Sequence, residues 1–357
     1  MILPATYQSG LLLMIFALLC AGLWTSTFKA ARPFRYELYY IDFSVGMVLC
    51  AVVSAYTLGS LQASELTFSD NFLVSNYHQM VYAFAAGILF NLGNVLMLAA
   101  ISAGAIALCV PLTFGMALLV LSVWDFVGDM RVNPVLLFGG EAVVLVACVV
   151  IAAAYFRYRQ AVAAAAKKAF SLDPRSKEGK RRGKAKNPLI PVILAIVAGV
   201  MLGFFPRVLD TARSGDSGIA PYGLTLLFSG GVLLSTLVYA PFVVAFPVSS
   251  TSIAIADYFR GGAKGHLLGI LGGVLLCAGL LSSNIVVGTI AARLLGPVLV
   301  TAMAQAVPLV AILAGAIFWK EFKSGALSTL PLVWGGFFLY AVGVALVAFA
   351  PVIGISK

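Results

Sequence analysis

The chain has 357 residues, of which 62% are hydrophobic and 10% charged, with a mean hydropathy of +1.04 and a formal net charge of +10. A soluble domain carries about 25% charged residues, so this composition excludes one and indicates an integral membrane protein. The positive surplus is concentrated between apolar stretches and so reports topology; no nucleic-acid partner is expected.

Ten apolar stretches follow one another, near residues 10–28, 38–60, 78–100, 103–124, 134–156, 188–206, 222–246, 266–290, 293–317 and 328–351. Each approaches the ~20 residues that one helix needs to cross a ~30 Å hydrocarbon core. The first nine residues contain no Lys or Arg, and the stretch after them is too long for a signal-peptide core, so it is expected to remain as a helix. The run from Met80 to Phe126 is apolar for over forty residues before Asp125, with Ser102 and Gly104 at its middle. It reads as two membrane helices joined by a tight turn. The residues from Arg157 to Asn187 form the long polar segment, which includes Lys167, Lys168, Lys180, Arg181, Arg182, Lys184 and Lys186.

That segment orients the chain. All but five of the 23 Lys and Arg fall on its side of the membrane; the others are Arg131, Arg207, Arg213, Arg293 and Lys357. The positive-inside rule therefore makes 157–187 cytoplasmic and, with ten crossings, puts both termini outside, in a cell membrane. The five cysteines (Cys20, Cys50, Cys109, Cys148, Cys277) lie in apolar stretches with no C-x-x-C pair, so neither a metal site nor a disulfide framework is expected.

The halves look like two copies of one plan. Each has a long hairpin as its third and fourth helices, one ending Trp124-Asp125-Phe126 and the other Trp319-Lys320-Glu321-Phe322. Asn94 lies late in helix 3 and Asn284 late in helix 8, and His78 and His266 open those helices. Five helices is an odd number, so the copies run in opposite senses. The expected fold is an all-α membrane protein of two inverted five-helix repeats, 1–156 and 188–357, separated by the basic segment 157–187. In such repeats the substrate sits near the midplane between halves.

The stretches LLLMIFALLCAGLW, YYIDFSVG, AYTLG, AFAAGILFNLGN, FVGDMRVN and LLFGG, then VYAPFVVAFPVSS and AQAVPL…FWKEF, resemble the plant ureide permeases in order and spacing. That family belongs to the drug/metabolite transporter superfamily and is related to glucose/ribose and rhamnose porters. The resemblance implies the five-plus-five fold and proton-coupled uptake of oxo-derivatives of nitrogen heterocycles. Departures occur as well. The central segment holds Gly179-Lys180 and Gly183-Lys184 but no G-x-x-x-x-G-K-[ST], so ATP binding has no support. Ser282-Ser283-Asn284, Gly288-Thr289 and Glu141 also differ from the family pattern, and these bear on substrate identity.

The residues expected to bind substrate are the intramembrane amides Asn91, Asn94, Asn284 and Gln305, with Thr113, Trp24 and Tyr239. Amides offer donors and an acceptor that match a lactam or purine edge, and aromatic faces stack on flat rings. Asn91 and Asn94 are three apart and can share a helix face. Pro111, Pro206, Pro241, Pro247 and Pro308 can open the backbone around a cavity, and Ser249 and Ser250 can extend a site or gate. Glu141 and Asp42 are the proton-coupling candidates, with H+ as coupling ion and no cofactor. Glu321, beside Lys320 and Lys323, reads as a boundary ion pair, and Asp125 and Asp129 as a solvated loop. No Ser-His-Asp set, metal cluster or phosphate loop is present, so no enzyme is read here. The expected function is secondary transport of a ureide, nucleobase or related solute by alternating access. The alternatives are a sugar or nucleoside porter and a proton-independent facilitator of the same fold. A receptor or scaffold would need a folded soluble domain, for which the segments between helices are too short.

Overall fold

In the computed structural model, residues 1–61, 67–128, 132–172, 187–215, 217–245, 254, 256–323 and 329–353 are described. Pro247, Ser249, Ser250, Asp129 and the Gly-Lys pairs of the basic segment lie outside them. Among the described residues the chain is helical and contains no strand. Ten helices are long and apolar enough to cross a membrane. We number them α1 (Tyr7–Ala30), α2 (Tyr36–Tyr56), α3 (Tyr77–Ala103), α4 (Ile106–Gly128), α5 (Pro134–Leu172), α6 (Leu189–Arg213), α7 (Pro221–Ala245), α8 (Ala263–Val287), α9 (Pro297–Phe318) and α10 (Leu330–Phe349). The protein is thus a multi-pass membrane protein.

Local chemistry sets the boundaries. Proline opens α5, α7 and α9, where its missing N–H costs nothing and its fixed φ suits a first turn. Asn76 caps α3 by accepting from the His78 backbone N–H at 3.0 Å. Gly104 and Ala105 alone separate α3 from α4. Three elements depart from the sequence reading. Helix α5 continues through Arg157 to Leu172, because Ala161 and Ala163 to Ala166 are strong helix formers that carry the helix beyond the apolar core. The second hairpin is not tight: a short helix, Ile290–Leu295, and Gly296, at φ +83°, come between α8 and α9. A left-handed conformation of this kind is open to glycine at little cost. Third, α9 is broken at Ala306 and ends in a π-helical turn, Ala314–Phe318. Pro308 follows the break; proline cannot donate to the preceding turn and crowds its carbonyl.

Connections join alternate helix ends. The face carrying both ends of the described chain is tied by Ile2 N–H to Leu58 C=O (3.0 Å) and Asn133 N–H to Ala350 C=O (3.1 Å). The opposite face carries the basic segment. Inside the bundle, α3 packs on α6 and α1 on α8; α2 packs on α8 and α3 on α7; α5 pairs with α10 and α2 with α7.

Two crossings have no side chain at their centre. At α2–α8, a methyl on Gly46 would overlap the Ile270 carbonyl, and one on Gly273 the Phe43 carbonyl. At α3–α7, a methyl on Gly87 would overlap the Phe228 carbonyl, and one on Gly231 the Phe84 carbonyl. Small residues of this kind let helices approach closely in lipid, where association rests on packing. Large apolar side chains such as Leu12, Val149 and Phe338 point outward, as a lipid-facing surface requires.

Candidate functional site

The α2–α3–α7 contact holds a buried polar cluster. Asn91 Nδ2 donates to Ser235 Oγ at 2.7 Å, to Thr236 Oγ1 at 3.1 Å and to Val232 C=O at 3.1 Å. Its Oδ1 is buried without a hydrogen-bond partner. One turn on, Asn94 Nδ2 donates to Tyr40 Oη at 2.9 Å. Tyr40 and Thr236, together with Tyr239 and Glu37, line a cleft of about 10 Å³. That is room for about one water, not for a heterocycle. The structure therefore brings the partners of Asn91 and Asn94 together with Tyr239 around this small cleft.

Asn284 lies elsewhere, at the end of α8, in a vestibule of about 650 Å³ that opens on the face of the chain ends. Its Nδ2 donates to Thr225 Oγ1 at 3.2 Å, and its Oδ1 lies 3.4 Å from Arg213 Nη2. Arg213, Arg293, Asn71 and Thr289 contribute to the walls. Asn94 and Asn284 have different surroundings: Asn94 stands seven residues after Gly87, whereas Leu280 stands seven after Gly273, and Met80 stands seven before Gly87 where His266 stands seven before Gly273.

The remaining expected binding residues are dispersed. Trp24 is buried, with its ring centroid 4.8 Å from that of Phe43. Thr113 Oγ1 donates to the Ala195 carbonyl at 3.1 Å, tying α4 to α6. Gln305 is partly buried at the break in α9. The coupling candidates are also apart. Glu141 is buried between α5 and α4, where Ser122 Oγ donates to Oε1 at 2.7 Å and Oε2 has no partner. Asp42 joins three elements: Tyr258 Oη donates to its Oδ1 at 2.5 Å, and His266 Nδ1 lies 2.8 Å from its Oδ2. A carboxylate only accepts, so this geometry puts the imidazole proton on Nδ1.

Other charges find partners that sequence proximity does not indicate. Glu321 pairs with Lys29 of α1, not with the flanking lysines, and accepts the backbone N–H groups of Ile106 and Ala107 at 3.1 and 3.0 Å. A carboxylate at a helix N-terminus satisfies free donors and the helix dipole. Asp125, read as solvated, accepts from Arg207 Nε at 2.6 Å. Among the described residues no group of three or more His, Cys, Asp or Glu could hold a metal ion. Sequence reasoning missed the Tyr258–Asp42–His266 cluster, whose members are far apart in the chain. It also treated Arg213 and Arg293 only as charges. Their position on the side otherwise poor in Lys and Arg was the available signal.

No protein-family model matches the chain. Three curated proteins of Arabidopsis thaliana are similar to part of it. Ureide permease 3 and ureide permease 1 are each 28% identical over 137 residues, 38% of this chain. Ureide permease 2 is 27% identical over 141 residues, again 38% of this chain. The chain spans only 40%, 35% and 35%, respectively, of these relatives' own lengths. These matches give a limited ureide permease-like relationship. A solved crystal structure is alike in fold at TM-score 0.52 and 14% identity, over 94% of this chain and 98% of its own.

Proposed function

We propose that the protein is a secondary transporter that moves a small, polar, nitrogen-rich solute, such as a ureide or nucleobase, across a cell membrane. The observation that carries this reading is the polar vestibule ending at Asn284 inside a ten-helix apolar bundle. The likeness to ureide permeases favours the solute class. No catalytic residue is assigned.

Alternating access between halves 1–156 and 188–357 is part of this proposal. The packing supports it, since the α2–α8 pairing recurs five helices on as α7–α3, and α1–α8 recurs as α6–α3. With the 157–187 side read as cytoplasmic from its basic bias, the vestibule is on the outer side in this proposal. Contacts across the halves hold the cytoplasmic side: Lys29 with Glu321, and Asp42 with Tyr258 and His266. In this reading the solute enters at Asn284, and Asn91, Asn94 and Tyr239 engage it when the α2–α3–α7 cleft opens. Trp24, Thr113 and Gln305 serve as supports of that path. Asp42 is the favoured proton carrier, since protonation would weaken its ties to two elements of the other half. Glu141 is the second candidate.

The test is reconstitution into proteoliposomes with uracil, hydantoin and a hexose. Uptake of the first two, with external alkalinisation that Asp42→Asn removes, is expected. Uptake without any proton movement would leave a facilitator. Uptake of the hexose alone would replace the solute class, and no uptake of any solute would sink the transport reading.

A further inference from the structure

The vestibule has a donor set that a neutral ureide does not use. Arg213 at the end of α6 has a mostly buried side chain, and its Nε–H is buried with no hydrogen-bond acceptor. Asp210 Oδ1 lies 3.3 Å from that nitrogen and offers charge, but its half-exposed carboxylate is not placed to accept the proton. The contact from Arg213 Nη2 to Asn284 Oδ1 is long, at 3.4 Å. A guanidinium has five N–H donors in a planar fork, and among the described residues this one's side-chain hydrogen bond is the long one to Asn284. Arg293 stands on another wall of the same cavity, is exposed, and makes no ion pair among the described residues. Among the described residues that line the cavity there is no Asp or Glu.

We propose that Arg213, Asn284 and Arg293 form a carboxylate-recognition site, so that the solute selected at the mouth carries a carboxylate beside its amide or ureido group. This rests on the transport reading and narrows it. The guanidinium fork matches the two oxygens of a carboxylate and gives shortened, charge-assisted hydrogen bonds. The Asn284 amide, fixed by Thr225, meets the neutral end of the solute. Arg293 adds a second positive charge from another wall of the cavity. A cavity of about 650 Å³ admits a small bifunctional solute with its water.

The probes are ureidoacetate and ureidoacetamide, which differ only in the carboxylate. Titration calorimetry of the full chain in zwitterionic nanodiscs at pH 7 should show the acid binding about 10-fold tighter or more, the scale of charge-assisted hydrogen bonds. Arg213→Gln should reduce that preference to about twofold or less, and Arg213→Lys should restore part of it, because an ammonium keeps the charge and loses the fork. Arg293→Gln should lower acid binding about threefold, with an effect that fades in high salt. If Arg213→Gln does not fold, the wild-type ratio and the salt-dependent Arg293→Gln effect decide. Equal binding of acid and amide overturns the proposal, as does a preference that survives Arg213→Gln, or one insensitive to both Arg293→Gln and salt. Hydantoin or uracil uptake alongside equal binding would sink the carboxylate site and leave the transporter standing.

Discussion

The crossing of α2 with α8 and the crossing of α3 with α7 share a backbone and differ in chemistry. Each places two glycines against carbonyls three residues before the partner glycine: Phe43 and Ile270 in one, Phe228 and Phe84 in the other. Four residues after these glycines stand Cys50 and Cys277 in the first crossing, while Ser235 and Asn91 form the amide cluster in the second. Four and seven residues before, Asp42 and His266 pair in the first, where Leu227 and Met80 stand in the second. The close backbone approach is the same in both crossings, and the polar groups around it are not. Packing and polar chemistry are therefore set by different positions on the same helix faces.

The largest expected effect tests the shared part. Gly231→Ala would drive a methyl into the Phe84 carbonyl, and backbone cannot yield as a side-chain tip does. A loss of about 3 kcal/mol or more is expected, at the upper end of overpacking costs. The adjacent Gly230→Ala meets only the Phe84 ring edge at 3.7 Å and should be neutral or stabilising by up to about 1 kcal/mol, the helix-propensity gain. Gly273→Ala should match Gly231→Ala. Thermal unfolding in detergent reads all three, and tolerance of Gly231→Ala on a par with Gly230→Ala would break the comparison.

A smaller effect sharpens the difference between the crossings. Asn91→Ala removes three hydrogen bonds, but Ser235 and Thr236 keep their bonds to the carbonyls of Gly231 and Val232. The cost to folding should stay near 1 kcal/mol, as for polar ties between membrane helices. Asn91→Cys gives the second crossing the residue that Cys277 supplies in the first and should recover most of that stability. If Asn91 meets solute, neither variant recovers uptake. Restored uptake in Asn91→Cys would return Asn91 to a packing role.

Much of the fold was legible before the structure. The ten spans follow from apolar length alone, because a helix must cover a fixed thickness of hydrocarbon. The broken α9 was only partly legible: Pro308 marked a weak point, but the wide turn at Ala314–Phe318 depends on packing against α4, and Glu321 reaches back to cap α4. The site was less legible. Asn91 and Asn94 stand out because an amide in an apolar run needs a partner, yet periodicity does not say which helix supplies it. The Asp42 cluster depends on His266, at the start of α8, and on Tyr258, brought in by a turn of helix outside any apolar stretch. Arg213 looked like a topological charge until its unpartnered Nε–H and the open cavity beside it came into view.

The smallest expected effect isolates the chemistry peculiar to the α2–α8 crossing. Burial, then the hydrogen bond to Asp42 and its charge, push the Tyr258 phenol up to about 12. An unfolded tyrosine titrates near ~10. The folded pKa is the higher one, so the bond's contribution to stability is complete below about pH 10 and is lost as pH rises through about 12. The difference in unfolding temperature between wild type and Tyr258→Phe should therefore be constant from pH 7 to about 9 and shrink above about 10, as ionised Tyr258 is repelled by Asp42. His266 faces the same group from α8, its ring centroid 4.7 Å from that of Tyr258, so the comparison is repeated in His266→Gln. A difference that stays flat to about pH 12 would mean that Tyr258 does not donate to Asp42, and the clamp peculiar to the α2–α8 crossing would reduce to the Asp42–His266 pair.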